Sequence, residues 1–81
     1  MKQLSDLVIN QNGFVFDPSL GEGYLLNESG LMVLKHLREG SSIEDVGSVL
    51  ATTYHISLGQ AFSDILDFIG KLRIFGFEVK R

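Results

Sequence analysis

Apolar and polar positions follow two different periods in this chain, and the change falls at Tyr24-Leu25-Leu26-Asn27-Glu28-Ser29-Gly30. Before that junction the apolar residues alternate. Leu7 and Ile9 fall on one side of Leu4 to Asn10 and Val8 on the other, the pattern of a half-buried strand. Asn12-Gly13 is a strong short hairpin signal and predicts a type I′ turn, in which both residues take positive φ. Phe14-Val15-Phe16 is a second strand, Asp17 to Gly21 a turn in which Pro18 fixes φ, and Gly23 to Leu26 a third strand.

After Asn27 the spacing becomes helical. Asn27 can accept a hydrogen bond from an unpaired N–H at the helix start, and Glu28 places a carboxylate in the first turn, where the helix dipole favours it. Gly30, Val33, Leu34 and Leu37 form a core-facing stripe, and Gly40 ends the helix. Ser42 and Asp45 approximate a capping box for a second helix to about Thr53, carrying Ile43, Val46, Leu50 and Tyr54. Ser57 and Gln60 open the longest helix, with Leu58, Ala61, Phe62, Ile65, Ile69 and Leu72 on its buried side. Gly76 ends it, Phe77 folds back onto it, and Glu78 to Arg81 is a short tail whose order the pattern does not decide. The prediction is one α+β domain over residues 1–81, a three-stranded antiparallel meander followed by three helices, with winged-helix-like content.

Composition narrows the chemistry. Eighty-one residues bury only about 60–65 % of the unfolded surface, leaving little room for both a core and a deep catalytic pocket. With no cysteine, neither a disulfide framework nor a thiolate zinc site is available. No apolar run has the length of a membrane helix and the first ten residues lack a signal-peptide pattern, so the expected setting is the cytoplasm. The net charge is −3, and up to Glu28 the acids Asp6, Asp17, Glu22 and Glu28 face Lys2 alone. That balance speaks against nucleic acid as the main partner.

Candidate catalytic groups are few. His36 and His55 sit on different elements without a second ligand at helical spacing, so no metal or cofactor is expected. Gly21-Glu22-Gly23 begins like a phosphate-binding loop, but Leu26 stands where a third glycine belongs. Asp64 and Asp67 form a solvated helix face. The expectation is a protein that is not an enzyme. A helix-turn-helix reading would use Ser57 to Phe75 as a recognition helix, whose outer face carries two acids; a winged-helix DNA binder is the alternative. If Phe14, Phe16, Tyr24 and Leu26 face the helices, Val8, Val15 and Leu25 point away from them. The third strand is an edge of the meander, and an open edge beside a helix groove can accept a peptide as a further strand.

Several short motifs carry a family likeness: Gly13-Phe14-Val15-Phe16-Asp17-Pro18, Leu26-Asn27-Glu28-Ser29-Gly30, Leu34 through Leu37 and Gly40 to Val46. Together they resemble the PqqD-like family, most closely its peptide-chaperone members associated with relatives of HPr kinase. The resemblance implies a RiPP recognition element. Such a domain binds the leader of a ribosomally made precursor peptide beside the third strand and third helix, and presents it to a modifying enzyme of the radical type or one related to HPr kinase. By position, the implied peptide-binding residues are Gly23, Tyr24, Leu25 and Leu26 on the strand and some of Phe62, Leu66, Ile69, Arg73 and Phe75 on the helix. Core is the role periodicity favours for Phe62 and Ile69. Asp17-Pro18 and the longer glycine-bearing turn depart from the member that acts in pyrroloquinoline quinone synthesis. Two further expectations stand beside leader binding: a constitutive adaptor subunit of a kinase-like enzyme, docked through Val8, Val15 and Leu25, and a homodimer through the same strands.

Overall fold

In the computed structural model, residues 2–79 are described. Strands β1 (Lys2–Gln3), β2 (Val8–Ile9), β3 (Phe14–Asp17) and β4 (Glu22–Leu25) are followed by helices α1 (Glu28–Arg38), α2 (Ile43–Tyr54) and α3 (Leu58–Ile74), and then by β5 (Phe77–Glu78). β2, β3 and β4 form the antiparallel meander, in that order. This is the α+β arrangement the spacing predicts.

Asn27 caps α1, its side chain accepting from the Gly30 N–H at 2.8 Å. Ser42 and Ser57 do the same for α2 and α3, accepting from Asp45 and Gln60 at 3.1 Å each. The Ser57 box is only half made, because the Gln60 amide donates to Asp64 at 2.7 Å instead. Gly40 and Gly76 follow the ends of α1 and α3 at φ of 89° and 91°, a conformation open to glycine without steric cost. The core joins Val33 and Leu34 of α1, Val46 of α2, and Ile65 and Ile69 of α3 to Val15 of the sheet. Leu58, expected on the buried stripe, is exposed at the first turn of α3.

Three strand-level expectations are corrected. Leu4–Asp6 forms a 3₁₀ turn and leaves only Val8–Ile9 as strand; the turn buries Leu4, which an extended chain would carry past the core. The hairpin after β2 has a single positive φ, 86° at Gly13. Gly13 N–H donates to Asn10 O at 3.3 Å and Asn10 N–H to Phe14 O at 3.0 Å, so this is a three-residue loop closed by a left-handed glycine, not a type I′ turn.

The third correction concerns the faces of the sheet. Ile9 lies opposite Val15, and Val15 opposite Tyr24. Directly paired residues share a face, and Val15, 2 % exposed, shows that this face meets the helices. Phe14 pairs with Leu25 and Phe16 with Gly23 on the opposite, outer side. Leu25 is 78 % and Phe14 43 % exposed. Val8 and Leu25 point outward as expected, whereas Val15 exchanges sides with Phe14 and Phe16.

Glu78, the first residue of the tail whose order the pattern does not decide, is part of β5. β1 and β5 pair in parallel, Lys2 opposite Phe77, with Lys2 N–H on Gly76 O at 3.1 Å. The Lys2 ammonium lies 4.4 Å from the centre of the Phe77 ring and 2.7 Å from the carboxylate of Asp17, which is 1 % exposed. Ser19 donates to the other Asp17 oxygen through its hydroxyl at 2.7 Å and its N–H at 3.0 Å. Lys2 above all, then Ser19, holds the Asp17 carboxyl below the usual carboxylate range. Lys80 and Arg81 lie outside the described residues.

Candidate functional site

Alternation of hydrogen bonds across the meander decides which backbone groups of β4 are free. Leu26 N–H donates to Gly13 O at 2.8 Å, whereas Phe14 directs its carbonyl to Asn10 on the β2 side. In an antiparallel ladder the bonded pairs recur every second residue. Val15 and Asp17 therefore bond to Tyr24 and Glu22, and Gly23 and Leu25 direct their N–H and C=O away from β3. No other strand among the described residues pairs there. The third strand is an open edge, and its free groups belong to Gly23 and Leu25.

Beside this edge lies a cleft of about 100 Å³ between the sheet and α3. Tyr24 and Leu26 form its strand wall, Phe68, Leu72 and Phe75 its helix wall, and the buried Leu7, Val15, Leu34 and Phe77 line it from the core. The Tyr24 and Phe75 rings stand 5.1 Å apart at 45°, a tilted aromatic contact. On the far side of Phe68 and Lys71, which border both, lies a separate polar pocket bordered by Asn27, Ser29, Asp64 and Asp67. On the strand side the Tyr24 hydroxyl donates to Glu22 at 2.8 Å. The Glu22 carboxylate, followed by burial, holds the phenol above its usual range.

The structure brings together only part of the residue set named from sequence. Tyr24 and Leu26 line the cleft, and Gly23 and Leu25 supply the free edge. Phe75 closes the helix wall. Ile69 is fully buried in the core, and Phe62 packs where a side chain on Gly47 of α2 would otherwise stand, a Cβ there falling 2.4 Å from its ring. Leu66 is exposed and does not line the cleft, and the Arg73 guanidinium reaches Val79 O at 3.4 Å. At 3.6 residues per turn, Phe62, Leu66 and Arg73 flank the buried Ala61, Ile65, Ile69 and Leu72 on one side. Phe68, Lys71 and Phe75 flank them on the other, and that second flank meets β4. Phe68 and Lys71, the two that sequence reasoning missed, share the spacing i, i+3, i+7 with the named Phe75, but periodicity does not say which flank the sheet will approach.

His36 is half-buried on α1, and His55 ends α2 with a left-handed φ of 55°. No three His, Cys, Asp or Glu side chains gather among the described residues, and no described helix is long and apolar enough to cross a membrane.

A three-stranded meander packed on three helices, with an unpaired edge strand bordering an apolar cleft, defines a class of small α+β domain. A family profile, Coenzyme PQQ synthesis protein D (PqqD), matches residues 12–76. The chain belongs to the PqqD family. No curated protein and no solved structure matches it.

Proposed function

We propose that this protein is a noncatalytic peptide chaperone that binds the leader of a ribosomally made precursor peptide and presents it to a modifying enzyme. The leader adds as a strand to β4, bonding to Gly23 and Leu25. One observation carries this reading: the two residues with free backbone groups stand beside an apolar cleft that lies on the same side as Tyr24. In strand addition the backbone bonds give affinity, and side chains entering flanking pockets give specificity. The family's association with peptide binding in the synthesis of the coenzyme PQQ supports it.

The modifying enzyme is of the radical type or related to HPr kinase. Leader binding is tested by titrating isotope-labelled protein with the leader halves of short peptides encoded beside its gene. Shifts are expected in Gly23 to Asn27 and in Phe68, Lys71 and Phe75. If such peptides bind and move only the distal flank, Phe62, Leu66 and Arg73, the placement is wrong.

A second reading has its own observation. Val8, Phe14 and Leu25 are exposed together on the outer sheet face, a surface on which an adaptor subunit could hold its enzyme constitutively. A stable complex with the enzyme, formed without peptide and lost in Phe14→Ser, would favour it.

A further inference from the structure

Resting on the strand-addition reading, we infer that the bound peptide carries a basic residue two positions from an aliphatic one, the first facing Glu22 and the second entering the cleft beside Tyr24.

The spacing comes from the pleat. Glu22, Tyr24 and Leu26 alternate with Gly23 and Leu25, so their side chains share the helix-facing side of β4. The Glu22 carboxylate accepts from the Tyr24 hydroxyl two residues on, which places it on that side. A strand added at the open edge sets its own side chains opposite those of β4, on the same face. Residues two apart on the peptide then face Glu22 and Tyr24, whichever way the peptide runs.

Size and charge assign the residue types. The cleft beside Tyr24 is lined by apolar side chains, with Lys71 at its edge, and holds about 100 Å³. A dry cavity of about 150 Å³ takes a benzene ring; this smaller one suits Val, Leu or Ile better than an aromatic side chain. Glu22 is exposed and lies in no ion pair among the described residues. Its single described hydrogen bond comes from the neutral phenol of Tyr24, so a carboxylate without a cationic partner stands beside the strand wall of the cleft. Around the separate polar pocket Asp64 and Asp67 outnumber Lys71, which keeps the charge on both sides negative. A cross-strand pair of opposite charge is favourable and a like pair unfavourable.

The test uses two short probes, Gly-Lys-Thr-Leu-Thr-Lys-Gly and the same peptide with Glu in place of both Lys. The symmetric design presents a charge to Glu22 in either strand direction. Binding is followed by amide shifts of the full chain at low salt, for the natural protein and for Glu22→Gln, in which the amide oxygen can still accept from Tyr24. The lysine probe is expected to shift Gly23 to Leu26 and to bind roughly three- to tenfold more tightly than the glutamate probe. Glu22→Gln should narrow that gap, and added salt should do the same. Equal affinity of the two probes at this edge overturns the charge assignment and leaves strand addition standing. Failure of both probes to shift Gly23 to Leu26 overturns the inference, and strand addition falls separately if the encoded leaders also leave that edge unmoved.

Discussion

Leu25→Pro separates the fold of this domain from its proposed use. Leu25 N–H points to the open edge of β4 and the side chain is 78 % exposed, so proline removes neither a ladder bond nor a packed group. Edge strands accept proline where the missing N–H faces solvent. The folded state should lose less than about 1 kcal/mol, a fall in Tm of under about 8 °C for a domain of this size. A bound peptide loses more. Its carbonyl opposite Leu25 would be desolvated without a donor, at a cost of about 1–3 kcal/mol, which weakens binding roughly fivefold to a hundredfold. Circular dichroism melts and a calorimetric titration with the leader peptide measure the two effects on one sample. Tyr24→Pro is the counterpart: it removes the bond to Val15 and should lower stability first. A folded Leu25→Pro protein that binds with unchanged affinity would refute strand addition at β4.

Three further predictions concern what holds the edge and cleft in place. Gly13→Ala should cost about 2–3 kcal/mol in urea denaturation, because φ is 86° and the added Cβ would stand 2.5 Å from the backbone oxygen of Leu26. Asn27→Ala should cost about 1 kcal/mol in the same assay by uncapping α1, with the strands left paired. Asp17 has a folded pKa below its unfolded one, so its contribution is full above the ordinary carboxylate range and is lost as pH falls through the depressed folded value. A series of melts from neutral pH to below about pH 4 should therefore fall less steeply for Asp17→Asn than for the natural protein.

Helix boundaries were legible because each start is written in one side chain. Asn27, Ser42 and Ser57 cap the three helices, and Gly40 and Gly76 mark the residues after two of the ends. Sheet faces were not, because Phe14-Val15-Phe16 is apolar at every position and two registers satisfy it equally. What decides is the hairpin: a three-residue loop with Gly13 as its left-handed residue puts Val15, not Phe14, opposite Ile9 on the core side. The cleft was half legible for a related reason. Its strand wall follows from the register, but its helix wall depends on which flank of α3 the sheet approaches. That depends on long-range packing, such as the Tyr24–Phe75 ring contact, between residues about fifty positions apart.

An open edge normally invites pairing with other copies of the chain, and a physical account can be given of what disfavours that here. Part of that account is brevity. β4 has four residues and exposes the backbone groups of only Gly23 and Leu25, too few for a stable pairing between copies on backbone bonds alone. Charge supplies the rest: Glu22 stands at one end of the strand, so two copies meeting edge to edge in parallel register would bring both carboxylates together, and antiparallel overlap would set each against the apolar Leu26 of the other copy. A peptide escapes both restrictions, because it can place an aliphatic side chain in the cleft beside Tyr24, which a second β4 has no free side chain to fill. Phe77, one of the side chains lining that cleft, lies 4.4 Å from the Lys2 ammonium, itself paired with Asp17 at the end of β3. The ion pair and the cleft beside the open edge therefore share one side chain, Phe77, and on the proposed reading a change at Lys2 or Asp17 reaches the peptide through it.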